Sequence, residues 1–196
     1  MSRLKKLLPL ELNQAQNELY MQLTSGRRTS GDKRFRMKDD SGRLEGPFNL
    51  FISYPDLGSI LSSLGEFIRY ESTIPPRSRE LLILYIAVDF QSEFEWYAHC
   101  QLAINEGVST SMIDSILDGK KPDNLDLQES ISYDLYQKVK FKEEISDEFF
   151  SRATELLGNK VIFEVITLIG YYSTLAILIK TFSISLPDGE DLVFNS

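Results

Sequence analysis

The chain has 196 residues, 42% hydrophobic and 26% charged, with a formal net charge of −8. That length buries a sizeable core, and that charge makes nucleic acid and anionic membrane poor partners. With one cysteine and one histidine, an intrachain disulfide, a CxxC pair and a histidine-based zinc site are excluded, and no metal is expected.

The N-terminal apolar run ends at Glu11, too short for a signal-peptide core, so an intracellular, cytoplasmic setting is expected. Over residues 9–24, Leu12, Ala15, Leu19 and Leu23 recur at helical spacing, with Pro9 suited to a first turn. Residues 25–47 are rich in Gly, Ser and charge and read as a long, flexible loop. Between 27 and 43, seven basic side chains face three acidic ones, which leaves −12 on the rest of the chain. This basic cluster is either a solvated loop or a flap that attracts an anionic substrate.

The segment Ser53-Tyr54-Pro55 reads as extended. Pro55 then opens a helix to about residue 71, with Leu57, Ile60, Leu61, Leu64 and Ile68 as its apolar positions. The proline pair at 75–76 opens the next helix, which runs to residue 90 with almost no polar face and is therefore expected to be central. A partner helix over 91–105 ends at Gly107 as a left-handed cap. Shorter helices are predicted over 109–118, capped by Ser109, over 126–141, and from Ser146 to 157. Residues 161–179 are the most apolar stretch. They are long enough to span a bilayer, but Glu164, Thr167 and Tyr171 argue for a buried core helix and against a membrane span. No repeat, second-domain boundary or alternating strand is evident. An all-α single domain of six to eight helices is expected over residues 1–196.

The chemistry concentrates on the helix over 91–105. Ser92, Glu95, Trp96 and His99 stand three, four and seven residues apart and share a face. Glu95 and His99 are an i, i+4 pair, in which a carboxylate can orient an imidazole for general acid–base work or simply satisfy it. Trp96 is placed as a pocket wall and Ser92 as a nearby hydroxyl. Glu164 and Tyr171 form a second polar line on the helix over 161–179, and a buried Glu164 is either structural or part of the site. Cys100 points off the His99 face.

Residues 75–117 resemble the carboxymuconolactone decarboxylase family, related to alkylhydroperoxidase D. The likeness lies in R-x-R-E-L-x-I-L from Arg77 and in E-W-x-x-H-x-x-x-A-x-x-x-G from Glu95, followed by a short helix. Weaker likeness extends over roughly residues 10–190. The resemblance implies an all-α alkylhydroperoxidase D-like helical array that assembles as a homo-oligomer, a trimer or hexamer. In the peroxidase branch a glutamate, two cysteines in CxxC and a histidine act together. Aligned here, the glutamate falls on Glu80, the histidine on His99, and the cysteines on Ser92 and Glu95. The relay pair is retained and both sulfurs are absent, so peroxidase chemistry through CxxC is not expected.

The resemblance therefore implies a cofactor-independent lyase or isomerase acting on a small, anionic carboxylated lactone or carbonyl compound. His99 would move the proton, with Glu95 or Glu80 orienting it. Arg77, Arg79 or a loop arginine would bind the substrate carboxylate, and Ser92, Trp96, Tyr171 and Glu164 would lie around the substrate. The alternatives are a redox protein of the peroxidase branch using Cys100 or an external thiol, and a non-catalytic oligomeric binding module.

Overall fold

The computed structural model describes residues 2–25 and 36–194. Those residues form one 3-10 turn, Pro9–Glu11, and eight helices: α1 Gln14–Ser25, α2 Pro47–Ser53, α3 Pro55–Tyr70, α4 Pro76–Phe90, α5 Glu93–Asn105, α6 Thr110–Leu117, α7 Leu127–Phe141 and α8 Asp147–Thr181. The only pairing of extended backbone among them is an isolated bridge between Lys38 and Leu44.

α4 is the central helix. Every residue from 80 to 87 is buried, and the helix packs against α5, α6, α7 and α8. Pro76 occupies its first turn, where the missing N–H costs nothing. Gln91, left-handed at φ 50°, turns the chain so that α5 returns along α4. α5 therefore begins two residues later than its sequence pattern suggested, with Ser92 at the N-cap position. The expected caps form, Ser109 accepting from the Met112 N–H and Ser146 from Phe149, and Asp126 accepts from the Glu129 N–H as a further cap.

Several elements depart from expectation. The N-terminal helix divides at Leu12, because Asn13 and Gln16 form a reciprocal cap of 3.0 Å bonds that starts α1 afresh. Residues 47–53 are helical and bury five apolar side chains and Asn49, so the segment expected to be extended at 53–55 instead joins two helices, with Ser53 ending α2, Pro55 opening α3 and only Tyr54 between them. The helices predicted over 146–157 and 161–179 run on as α8, broken only at Gly158 (φ 77°, ψ 155°), a backbone conformation that glycine alone adopts cheaply. Over half of the most apolar stretch of α8 is buried inside the fold.

Of the basic cluster, Arg27, Arg28, Lys33 and Arg34 lie outside the described residues. The remainder is not a free loop. Met37 and Leu44 enter the core, Arg43 bonds Asp39 at 2.6 Å, Arg36 bonds Asp40 at 2.6 Å, and buried Glu45 pairs with Lys6.

α3 follows its pattern in part: Ile68 is buried and Leu61 and Leu64 pack against the core, but Leu57 and Ile60 do not. Gly58, Ser62 and Gly65 are buried, whereas Leu57, Ile60 and Phe67 face outward. Close approach of α2 is the cause: a Cβ on Gly58 would lie 2.2 Å from the Phe51 carbonyl oxygen. Only a small-residue stripe can face that contact.

Candidate functional site

α4 and α5 lie side by side and bring Glu80 and His99 together in the core. His99 Nδ1 is 2.7 Å from Glu80 Oε2, and the other oxygen, Oε1, accepts from Arg79 Nε at 3.1 Å. One turn back along α5, Glu95 Oε2 is 3.6 Å from His99 Nε2, beyond hydrogen-bond length. The imidazole thus stands between two carboxyl groups, one bonded and one held just out of contact. All three residues are at least 95% buried.

Burial assigns the charges. It pushes His99 down, with Arg69 and Arg79 adding to the effect, and this outweighs the attraction of Glu80. Burial would raise Glu80, but the charge and hydrogen bond of His99, then Arg79 and Arg69, hold it below the usual carboxylate range. Glu95 has no such support: burial raises it to about 8, assisted by Glu80 and opposed by Arg69. At neutral pH Glu80 is therefore the anion and takes the Nδ1–H of His99. Nε2 is left as a base beside a protonated Glu95.

Nε2 and Glu95 look into a cavity of about 40 Å³. Arg69 of α3 lines it with Tyr171 and Tyr172 of α8, and Phe48 and Phe51 of α2 close it with Phe94. Tyr172 meets the His99 ring edge-on at 5.2 Å and fixes its plane. Glu95 Oε1 is buried without a hydrogen-bond partner. A donor, an acceptor and a cation therefore converge on one largely apolar space, an arrangement suited to moving a proton on a bound molecule.

No family model and no curated protein matches the chain in sequence. Solved structures do match. The alkylhydroperoxidase AhpD core, an uncharacterized peroxidase-related protein from Ralstonia eutropha JMP134, superposes with a TM-score of 0.74 at 12% identity, over 95% of this chain and 93% of that one. The fold is that of alkylhydroperoxidase AhpD. A protein of unknown function from Agrobacterium tumefaciens, described as a putative antioxidant defence protein AhpD, matches at 0.60 and 16% identity, over 73% of this chain and 99% of its own.

Within the AhpD fold, the expected site residues separate into two groups. Glu80, Glu95, His99 and Tyr171 come together at the cavity or directly behind it. Ser92 and Trp96 lie outside it. At about 100° per residue, Glu95, Ala98 and Leu102 define the cavity side of α5 and His99 stands at its margin; Ser92 and Trp96 fall on the far flank. Trp96 instead packs edge-on against Phe194 at 5.7 Å, where Glu93 accepts the Val193 and Phe194 N–H groups at 2.9 and 2.7 Å.

Glu164 also lies outside the cavity. Its Oε2 accepts the Thr73 N–H at 2.7 Å and the Thr73 hydroxyl at 2.8 Å, closing the turn that leads into α4. Cys100 opens on a different groove beside Trp96 and Gln101, and burial, then Asp114, pushes its thiol up, away from the reactive thiolate. Arg77 pairs with Glu129 at 2.9 Å, and Arg79 supports Glu80. The arginine at the cavity is Arg69, which the sequence reading passed over along with Tyr172. A signal for Arg69 existed: it continues the stripe Gly58, Ser62, Gly65 at helical spacing, so it shares their inward face.

Proposed function

We propose that this protein is a cofactor-independent lyase or isomerase that moves a proton on a small carboxylated lactone or carbonyl compound. The observation that carries the reading is a neutral imidazole pinned by Glu80 at 2.7 Å, with its free nitrogen and a protonated Glu95 sharing one cavity. In an isomerisation, His99 Nε2 takes a proton from carbon, the electron pair passes into the adjacent carbonyl as an enolate, and Glu95 or His99 returns a proton at another carbon. In a decarboxylation, the bond to the carboxylate carbon breaks and carbon dioxide leaves. The pair stays behind as an enolate, and the same groups protonate it. Positioned acid–base groups of this kind contribute roughly 10²–10⁴-fold.

The peroxidase-related and antioxidant descriptions belong to the structural neighbours, and their chemistry is less well supported here. The positions aligned with the redox cysteines hold Ser92 and Glu95, and the one thiol faces away from His99. The test is an ultraviolet assay of 4-carboxymuconolactone consumption with wild type and His99→Ala. Turnover that collapses in the variant supports the reading; turnover that survives removes His99 from the mechanism.

The proposal includes a cytoplasmic homo-oligomer, a trimer or hexamer. Leu57, Ile60 and Phe67 of α3 and Phe163, Ile166 and Ile177 of α8 are exposed apolar side chains that an assembly would cover. Light scattering after size exclusion tests this, and a clean monomer at micromolar concentration rules it out.

A further inference from the structure

Among the described residues, Arg69 is the one permanent cation that lines the cavity. Among the described residues it makes no ion pair, and its guanidinium stacks over the Tyr70 ring at 5.4 Å. The groups facing it and Glu95 are Glu80 and Arg79 from α4, His99 from α5, and Tyr171 and Tyr172 from α8; α2 contributes only apolar side chains. Arg79 offsets Glu80 through their direct 3.1 Å contact. Burial keeps His99 and Glu95 neutral at pH 7, and burial above all holds Tyr172 in its neutral phenol form. Among the described residues, the charges around the cavity therefore sum to one net positive, centred on Arg69. In a low-dielectric space that charge favours an anion, and a planar guanidinium suits a carboxylate.

We infer that the cavity seats one carboxylate group of its ligand, whose charge sits on Arg69 and which accepts a hydrogen bond from the Glu95 carboxyl. This inference rests on reading the cavity as the active site. It adds the anchoring residue and a proton requirement to that reading. An ionised Glu95 would repel the ligand and withdraw the hydrogen bond, so uptake of the anion requires the proton on Glu95. A volume of about 40 Å³ has room for roughly two or three waters, enough to seat one carboxylate group of a substrate, for which acetate is the minimal probe.

The test uses acetate and its neutral isostere acetamide, titrated into the full chain by NMR. At pH 7 acetate binds at least about tenfold more tightly, because a charge-assisted bond is worth roughly 1.4 kcal/mol or more. Arg69→Gln removes that preference, and Arg69→Lys, which keeps the charge, retains most of it. Between pH 7 and 9.5 acetate affinity falls about tenfold or more in wild type and stays level in Glu95→Gln. Equal binding of acetate and acetamide, no acetate binding, or acetate binding indifferent to Arg69→Gln overturns the inference. The acid–base reading fails separately: acetate binding with turnover indifferent to His99→Ala sinks that reading alone, and His99-dependent turnover without acetate binding sinks only the anion site.

Discussion

Glu95 and Glu164 are both buried, at 3% and 6% exposure; Glu164 has one oxygen without a hydrogen bond, and among the described residues neither oxygen of Glu95 has one. Around Glu164 the carboxyl does structural work: two donors from Thr73 hold one oxygen at 2.7 and 2.8 Å, and Lys160 stands 3.8 Å from the other. Around Glu95 there is an imidazole at 3.6 Å, a cavity, and a proton retained to about pH 8. Burial alone does not mark a site. What separates the two regions is how fully the carboxyl is satisfied: the Glu164 region stabilises the native chain, and the Glu95 region gives up stability for a group poised to exchange a proton.

The sharpest way to break this comparison is through His99. His99→Ala is expected to lower turnover of the true substrate by about 10²-fold or more, while circular dichroism shows the helices intact. If turnover is unchanged, the Glu95 region has no more claim to function than the Glu164 region.

Glu95→Gln tests the stability side. The folded carboxyl titrates at about 8 against about 4.5 unfolded, so from pH 4.5 to 8 the folded state holds more protons than the unfolded one. Wild type therefore loses stability as pH rises through that window and levels off above it, by up to a few kcal/mol. Glu95→Gln lacks this loss. Its melting temperature should overtake that of wild type as pH rises from 5 to 9, and parallel curves would mean that Glu95 is ionised in the fold.

Glu164→Ala should cost about 1–3 kcal/mol by urea denaturation, since it strands the Thr73 N–H, and should leave the pH profile of turnover in place. A shifted profile would join the two regions that the geometry separates. The smallest effect is expected from Cys100→Ser, within about twofold in turnover, because its thiol opens on another groove. Peroxide consumption lost in that variant would revive thiol chemistry.

The stretch around α4 and α5 was legible because its signals are local. A proline pair fixes one helix start, an unbroken apolar run can only be central, and an i, i+4 spacing places Glu95 by His99 whatever the rest of the chain does. Glu164 was legible as a buried acid and illegible as to role, because its partner, Thr73, is 91 residues away. Ser92 and Trp96 were misplaced because a helical wheel defines a face about 100° wide and cannot say which flank of it meets the cavity. On α3 the apolar pattern places Ile68, Leu61 and Leu64 on the core but not Leu57 and Ile60, because close packing against α2 demands small residues at Gly58 and Ser62.

The sequence by itself thus determined the helical class, the caps at Ser109 and Ser146 and the placing of Glu95 one turn from His99, all set by spacings within a few turns of one chain segment. Only the tertiary structure decided that Glu80 is the carboxylate bonded to His99, that Arg69 is the cation at the cavity, and that Trp96 belongs to the C-terminal tail. Those contacts join different helices. Their geometry depends on how α3, α4, α5 and α8 cross, and crossing is settled by side-chain packing along whole helix faces, which no local pattern records.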